Sequence, residues 1–458
     1  MKLIINKFTV GVLLLAVALL VSCEKLLEVD LPENQIPSEV VFDNVQTANA
    51  ALSGLYARLW DKSPLAGDQG GKLLGLYTDD LTFYAVNSTN GLPELSNNTL
   101  LDTNMAVDDF WNATYQQIYL SNAILEGLEH SRSISLEDVT RMRGEVLVIR
   151  SVLYFYLQQL FGDIPLVLST SYTQNQSLSK TASESVLEKI EHDLLIATEL
   201  LEDDYRHIDR IFINRKTAQM LMAKIQMQQK RWPEAELTLK KIVNSPLYQF
   251  QNDLSKVFTK SGTHIIWQLK PKNNGDAVKE ASIYYFVNAA PASMSLSDDL
   301  VNSFASNDLR RNYYLATVKV GNNTWYRAEK YKNRTSNTTE NSIVFRLEEV
   351  YLLLAESLTK QNKVSEALQY INPIRKRAGQ MMYDSGISPS DLLTKILQEN
   401  RREFFTEMGH RFIDLKRFGR LDDLHLTKPN WKPYHAYWPI PQKELLLNSN
   451  LNPQNTGY

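Results

Sequence analysis

The chain has 458 residues, of which 43% are hydrophobic and 22% are charged, and this composition excludes a collagenous, low-complexity or wholly disordered protein. Lysine and arginine total 49 against 52 aspartate and glutamate, and the resulting net charge of −3 disfavours a nucleic-acid-binding protein, which usually has a basic excess. The single cysteine excludes an intramolecular disulfide and a cysteine-rich zinc site.

The first residues have the pattern of a bacterial lipoprotein signal peptide. The apolar run 8–21 is shorter than the roughly 20 residues that cross a bilayer as a helix, and it suits the core of a signal peptide. It leads into Leu-Val-Ser-Cys, which resembles a lipobox. We therefore expect residues 1–22 to be removed as a signal peptide, and 23–42 to be an acylated Cys23 followed by a tether, because two or more acyl chains hold a protein stably at a membrane. The alternative is an ordinary secretory signal with an incidental cysteine.

From residue 43 onward, apolar residues recur at helical spacing. Helices are predicted over 43–59, 108–129, 136–160, 183–201, 214–230, 232–244, 345–361 and 364–377. Pro233 supports the start of the sixth helix, and Gly162 supports the end of the third. The last two pairs of helices, each joined by a short polar turn, resemble the tetratricopeptide hairpin, and the two earlier pairs are interpreted as further copies. The sequence therefore predicts a mostly α fold, a scaffold of about four tetratricopeptide-like helical hairpins.

Two long segments, 61–103 and 250–341, lack the helical pattern. Both are polar with scattered aromatic residues, and the second contains a strand-like run at 264–269, in which Trp267 is predicted to be core. Loops of this length are usually either functional or disordered, and the aromatic residues argue against disorder. We therefore expect loop-rich insertions with minor β-structure.

Five motifs follow one another along the chain. They are GEVLVIR with YF and FGDIPL at 144–166, RLEEVYL with AE at 346–356, IN with IRKRAG at 371–379, an acid- and arginine-rich stretch with GHRFIDLKR at 399–417, and PIP with QNTGY at 439–458. In this order, together with the lipobox, they resemble the SusD/RagB family of bacterial surface lipoproteins. Because the resemblance extends from Cys23 to the last residue, 43–458 is predicted to be a single SusD-like domain.

The resemblance implies a surface-exposed, lipid-anchored protein of the outer membrane that binds a nutrient, most often an oligosaccharide or polysaccharide. It implies delivery of this cargo to a SusC-like TonB-dependent transporter, contact with the membrane through the lipid anchor only, and no covalent chemistry. It also implies that loops on a helical scaffold form the ligand face. The motif residues Arg150, Arg375, Asp414 and His410 are accordingly interpreted as structural hydrogen-bonding residues.

Patterns of catalytic and cofactor-binding residues are weak, so we do not expect an enzyme. The stretch 66–73 approaches a P-loop, but Ala66 replaces the first glycine and Leu73 cannot bind magnesium. Neighbouring aspartates, as at 79–80, point to different faces and do not form the facing pair of a glycosidase. No cofactor is expected, and a structural calcium ion in the Asn- and Asp-rich loops has no EF-hand motif to support it.

A sugar-binding site needs exposed aromatic rings that stack on the apolar faces of sugars, with amide or charged groups beside them. The first candidate cluster, within 61–103, consists of Tyr77, Asp79, Asp80, Phe83, Tyr84 and Asn87. The second, within 250–341, is Tyr284 and Tyr285, which strand alternation would direct to opposite faces. Trp325 and Tyr326 form a third, weaker candidate. In the alternative interpretation, the aromatic residues of the first cluster only pack the loop onto the scaffold.

Three other functions remain open. A carrier of peptide or another non-glycan cargo in the same transporter-lid role would have buried loop aromatics and a charged groove. A protein-interaction scaffold would have only an exposed apolar helical face. A surface glycoside hydrolase would need two carboxylates that face each other across a cleft. Exposed aromatic residues in the two long segments would favour a glycan-binding protein.

Overall fold

The computed structural model describes residues 41–458. The predicted signal peptide, Cys23 and the tether as far as residue 40 lie outside this range. Helix makes up about 53% of the structure and strands are short, so the predicted mostly α fold is confirmed. None of the helices within the described range combines the length and the apolar character that a membrane span requires.

Helices are present in both halves of the chain. In the first half they are α1 (Val45–Asp61), α2 (Gly70–Tyr77), α3 (Leu92–Ser96), α4 (Met105–His130), α5 (Leu136–Phe161), α6 (Tyr172–Asn175), α7 (Ser183–Leu200), α8 (Arg215–Gln228) and α9 (Trp232–Val243). In the second half they are α10 (Lys279–Ile283), α11 (Asp298–Asn302), α12 (Arg310–Tyr314), α13 (Leu347–Lys360), α14 (Val364–Arg377), α15 (Pro389–Phe404), α16 (His410–Phe418) and α17 (Gln442–Leu447). Short stretches of 3-10 helix occupy Leu254–Lys256, Leu421–Leu426, Pro433–Ala436 and Ser449–Leu451.

The strands pair two by two and always antiparallel. They are β1 (Leu81–Phe83), β2 (Ile164–Pro165), β3 (Lys180–Thr181), β4 (Ile265–Leu269), β5 (Met294–Leu296), β6 (Leu315–Val320), β7 (Asn323–Ala328) and β8 (Ser342–Arg346). The pairs are β1 with β5, β2 with β3, β4 with β8, and β6 with β7. The strand expected at 264–269 is β4, and its Trp267 is fully buried, as predicted.

Each of the eight long helices expected from the sequence is present, with ends within three residues of the prediction. Local hydrogen bonds fix these ends. The side chain of Asn44 accepts from Thr47 N at the start of α1, and that of Ser135 accepts from Asp138 N at the start of α5. Gly162, with a φ of 75°, ends α5 as expected.

Helices that were expected to form hairpins pack against each other. The pairs are α1 with α4, α5 with α7, α8 with α9, and α13 with α14, and α9 also packs on α13. Helix α5 is buried on nearly every side from Gly144 to Phe161 and lies at the centre of the hydrophobic core. That these hairpins repeat a tetratricopeptide unit stays a prediction.

The two long segments contain more regular structure than the sequence indicated. The first includes α2, which packs so closely that a Cβ on Gly71 would lie 2.2 Å from the carbonyl oxygen of Thr406. The second includes the β6–β7 hairpin and several helices of five residues. Pairing of β1 with β5, from Leu81 opposite Leu296 to Phe83 opposite Met294, joins the two segments.

Candidate binding surface

The pairing of β1 with β5 connects the segment of the first candidate cluster to the segment of the second. Just beyond β1, Tyr84 donates its backbone N–H to Ser293 O at 2.8 Å, and its hydroxyl lies 3.2 Å from Ser295 Oγ. Strand β5 packs in turn against β7. Arg327 of β7 reaches the ring of Tyr285, its guanidinium carbon lying 4.6 Å from the ring centre. Contacts through β5 and β7 therefore link the two segments.

Three of the eight candidate ligand residues are exposed. Tyr84 is 39% exposed, Tyr285 is 37% exposed, and Asn87 is also exposed. Phe83 is half-buried and packs its ring against the core. We call the group formed by Tyr84, Asn87 and Tyr285 the aromatic surface. It has the composition expected of a sugar platform, two rings with an amide nearby.

Tyr77 was proposed as a ligand residue, and this must be corrected. It is fully buried because it belongs to helix α2, which turns its side chain into the core. Its ring packs edge-on against Trp431 and Trp438, and its hydroxyl donates to His435 O at 2.9 Å. Burial raises the pKa of Tyr77 well above its ordinary value.

Asp79 and Asp80 must also be corrected, since their carboxylates are buried in ion pairs. Arg411 donates to both carboxylate oxygens of Asp79, at 2.8 and 2.7 Å, and Arg401 donates to Asp80 Oδ1 at 2.9 Å. Burial opposes the charge of Asp79, but these arginines prevail and lower its pKa to about 2. The pKa of Asp80 is raised, because burial outweighs the attraction of Arg401. Both aspartates hold the backbone in front of β1 to helices α15 and α16.

Tyr284 is the fourth correction. Helix α10 ends at Ile283, so no strand passes through this segment and strand alternation does not apply. The two neighbours nevertheless point in opposite directions, with Tyr284 buried and Tyr285 exposed. Burial raises the pKa of Tyr284 well above its ordinary value, and its hydroxyl has no hydrogen-bond partner among residues 41–458.

Two arginines at the aromatic surface were missed by the sequence analysis. The guanidinium carbon of Arg334 lies 3.7 Å from the centre of the Tyr285 ring, which is closer than that of Arg327. Arg327 donates to Phe286 O at 2.7 Å and to Glu329 Oε2 at 2.9 Å, so it fixes the backbone beside Tyr285. An arginine within an Asn- and Thr-rich loop was the available signal, but its meeting with Tyr285 depends on the tertiary structure. Trp325 and Tyr326, the third candidate, are both half-buried.

A small cleft lies beside β1, with a volume of about 250 Å³. Its lining includes Thr82, Phe83, Asn97 and Lys428. Lys428 Nζ donates to Leu76 O at 2.7 Å and to Ser96 O at 2.8 Å, and burial lowers its pKa to about 8. The cleft is too small for more than one sugar ring, so the exposed rings of the aromatic surface remain the main candidate platform.

Arg150, Arg375 and Asp414 have the structural roles that the sequence indicated, and Asp414 pairs with Arg417 at 2.8 Å. His410 is structural as well, but its ring makes no hydrogen bond within residues 41–458. Arg150 donates to Asn122 Oδ1 and Asp193 Oδ2, and Arg375 donates to Met381 O. Asp414 and His410 are buried, and the imidazole of His410 stacks on the ring of Phe404. Within residues 41–458, histidine, aspartate and glutamate form no group of three that could hold a metal ion.

Two family models match the chain. Residues 36–227 match a SusD-like family described as starch-binding and associating with the outer membrane, and residues 288–458 match the SusD family. Among curated proteins, the SusD-like protein P25 of Formosa agariphila is 27% identical over 514 aligned positions, which cover 95% of this chain and 97% of that protein.

Solved structures with the same fold include two glycan-binding proteins. A laminarin-binding SusD-like protein superposes with a TM-score of 0.77 at 20% identity, covering 91% of this chain and 100% of that one. Surface glycan-binding protein A from Bacteroides thetaiotaomicron in complex with laminarihexaose superposes with a TM-score of 0.75 at 19% identity, covering 90% of this chain and 99% of that one. At these identities the similarity establishes the fold.

Proposed function

The chain belongs to the SusD family, and we propose that it captures a glycan at the cell surface and delivers it to a SusC-like TonB-dependent transporter. The family description of starch binding in association with the outer membrane supports a glycan cargo. The laminarin-binding relative and the laminarihexaose complex support it as well, because both share this fold.

The observation that carries this proposal is the aromatic surface. Tyr84 and Tyr285 lie about 200 positions apart in the sequence. More than a third of the surface of each residue is exposed to solvent. The ring of an exposed tyrosine offers a flat face for the C–H groups of a sugar. Asn87 adds an amide that can donate to or accept from hydroxyl groups.

We propose binding without catalysis. The neighbouring carboxylates that precede β1, Asp79 and Asp80, are buried in ion pairs with Arg411 and Arg401. A platform that touches a few sugar rings should bind in the millimolar to micromolar range, roughly 4 to 8 kcal/mol. Weak binding suits a protein that must release its cargo to a transporter, since affinity differences lie mainly in the off-rate.

We further propose that residues 1–22 are removed, that Cys23 is acylated, and that the lipid holds the protein on the outer face of the outer membrane. Growth of the source cells with a labelled fatty acid should label the protein. The variant Cys23→Ser should lose the label and the membrane association together. Labelling of the Cys23→Ser protein would contradict the proposed anchor.

Glycan binding is tested by affinity electrophoresis of the detergent-solubilised full chain in gels that contain laminarin, starch or other polysaccharides. We expect retardation by at least one glycan, and its loss in Tyr84→Ala and Tyr285→Ala. Tyr172→Ala is the matched control, because Tyr172 is 78% exposed in helix α6, outside both candidate segments. Absence of retardation by any glycan would contradict the proposal and favour a peptide or other non-glycan cargo. Equal loss in the Tyr172→Ala control would contradict the assignment of the surface.

A further inference from the structure

The guanidinium group of Arg334 is a charged feature of the aromatic surface with unused hydrogen-bond donors. It stacks on the ring of Tyr285, and within the described part of the chain no carboxylate or carbonyl accepts a hydrogen bond from it. Arg327, the second arginine on this ring, already donates hydrogen bonds to Phe286 O and Glu329 Oε2. Arg334 is half-buried, and its planar set of N–H donors has no protein acceptor within residues 41–458 although it lies next to an exposed ring.

The loop that carries Arg334, residues 329–341, is held rigidly by its own polar groups. Glu340 accepts hydrogen bonds from Lys332 N at 2.9 Å and Asn333 N at 3.1 Å. Asn337 accepts from Glu340 N at 2.9 Å and donates to Asp276 O at 3.0 Å. A guanidinium that is fixed by a ring and a braced loop loses little entropy when it binds a ligand.

The carboxylates near Arg334 are engaged by other groups, so none of them forms an ion pair with its guanidinium within residues 41–458. Segments 83–91 and 284–297, which supply the rest of the aromatic surface, contain no charged residue. In the loop itself, Glu329 pairs with Arg327, and buried Glu340 is occupied by backbone N–H groups. Asp276, next to the loop, already accepts from Asn273. Lys332 is exposed and adds a second positive charge.

We propose that the cargo is an anionic glycan, one whose sugar rings carry carboxylate or sulfate groups, and that Arg334, held against the ring of Tyr285, binds this group while Tyr84 contacts the sugar rings. This inference rests on the proposed glycan-binding function. A planar guanidinium matches the two oxygens of a carboxylate or sulfate with parallel hydrogen bonds, and such charge-assisted bonds are stronger than those to neutral hydroxyl groups. A neutral glycan would leave this capacity unused.

The test compares glycans that share a backbone and differ only in charge, with the detergent-solubilised full chain. Polygalacturonate is paired with its carboxyl-reduced form, and carrageenan with its desulfated form, so that the two pairs distinguish a carboxylate from a sulfate. Laminarin and starch serve as neutral references. We expect one anionic glycan to bind at least about 10-fold more tightly than its neutral partner, and more weakly at high salt.

Substitutions then assign the preference to a residue. Arg334→Gln should weaken binding of the anionic glycan by about 10- to 100-fold, and Arg334→Lys should weaken it less, because lysine keeps the charge but loses the planar fork. Arg132→Gln is the control, since exposed Arg132 follows helix α4 and makes the same change of charge outside both candidate segments.

An unchanged preference of Arg334→Gln for the anionic glycan would overturn the inference. Equal binding of the charged glycan and its neutral counterpart by the parent protein would overturn it as well. Binding of only laminarin or starch, lost in Tyr84→Ala, would overturn the anionic cargo and leave the glycan-binding function standing. Failure to bind any of these glycans would count against both.

Discussion

Two tyrosines that are seven positions apart, Tyr77 and Tyr84, show how backbone geometry decides the role of a side chain. Both lie in a polar segment that lacks a long apolar pattern. Tyr77 ends a helix whose inner face meets Trp431 and Trp438, so it is core, whereas Tyr84 follows a three-residue strand and remains exposed. Composition alone assigns the same chemistry to both residues.

The two buried tyrosines of the original candidate set should respond oppositely to loss of the hydroxyl. Tyr77→Phe should lower the free energy of unfolding by about 1 kcal/mol, because it removes the hydrogen bond to His435 O. Tyr284→Phe should leave the free energy of unfolding unchanged or raise it by about 1 kcal/mol, because burial desolvates a hydroxyl that has no partner within residues 41–458. Urea denaturation of the two variants measures both changes.

Each variant serves as the control for the other, since the substitution is the same and both side chains are buried. A loss of about 1 kcal/mol or more in Tyr284→Phe would show that its hydroxyl has a partner, such as a buried water molecule. Unchanged stability of Tyr77→Phe would show that the hydrogen bond to His435 makes no net contribution.

At the scale of secondary-structure elements, the aromatic surface depends on helices α15 and α16. The sequence showed a family motif at 399–417 but did not predict these helices. Strand β1 has three residues and cannot be stable alone. Arg401 of α15 donates to Asp80 and, at 2.6 Å, to Asp299 in α11, while Arg411 of α16 holds Asp79. The motif at 399–417 therefore positions the residues before β1 and after β5, and with them Tyr84.

Asp79→Asn should lower the free energy of unfolding by about 2 kcal/mol near pH 7. The pKa of Asp79 is lowered from 3.8 to about 2 in the folded protein, so its stabilising charge is fully present above about pH 4 and is lost as the pH falls through 2. The difference between the parent protein and Asp79→Asn should therefore narrow as the pH falls from 4 to 2. Urea denaturation at several pH values measures this difference.

A difference in stability that stays constant over this pH range would contradict the role assigned to the carboxylate charge. The same variant also tests whether the ion pair of Asp79 with Arg411 affects the aromatic surface. If Asp79 only stabilises β1, glycan binding by Asp79→Asn at neutral pH should weaken far less than in Tyr84→Ala. An equal loss of glycan binding in both variants would indicate that the ion pair of Asp79 sets the position of Tyr84.

The long helices could be predicted from the sequence, whereas the binding surface could be predicted only in part. Helix α14 begins and ends at the predicted residues, and its 14 residues provide enough turns for periodicity to show. Helix α10 and strand β5, with five and three residues, are too short to show any period. The contact between Arg334 and Tyr285 joins residues 49 positions apart through tertiary packing, and no local pattern indicates it.

Across the whole molecule, a buried ionic network connects the scaffold to the segment that carries the aromatic surface. Glu403 of α15 is its centre and accepts from Arg310, Arg346 and Arg377, which come from α12, the end of β8 and α14. Burial opposes its charge, but the three arginines hold the pKa of Glu403 well below its ordinary value. Lys330, at the start of the loop 329–341 that carries Arg334, donates to Glu403 O at 2.8 Å.

Glu403→Gln should therefore lower the free energy of unfolding by about 3 kcal/mol, the lower end of the range for breaking a buried ion pair. Arg310, Arg346 and Arg377 lose the negative charge that they share, but they keep ion pairs with Asp308, Glu407 and Glu348. Asp109→Asn is the matched control: its ion pair with Lys62 is more than half exposed on both sides, and its loss should change stability by less than about 1 kcal/mol.

Chemical denaturation followed by both circular dichroism and tryptophan fluorescence measures the two effects. If the network unites scaffold and binding segment, both signals should shift to the same lower denaturant concentration in Glu403→Gln. Two separate transitions would instead indicate that the segment 250–341 unfolds independently of the helical hairpins.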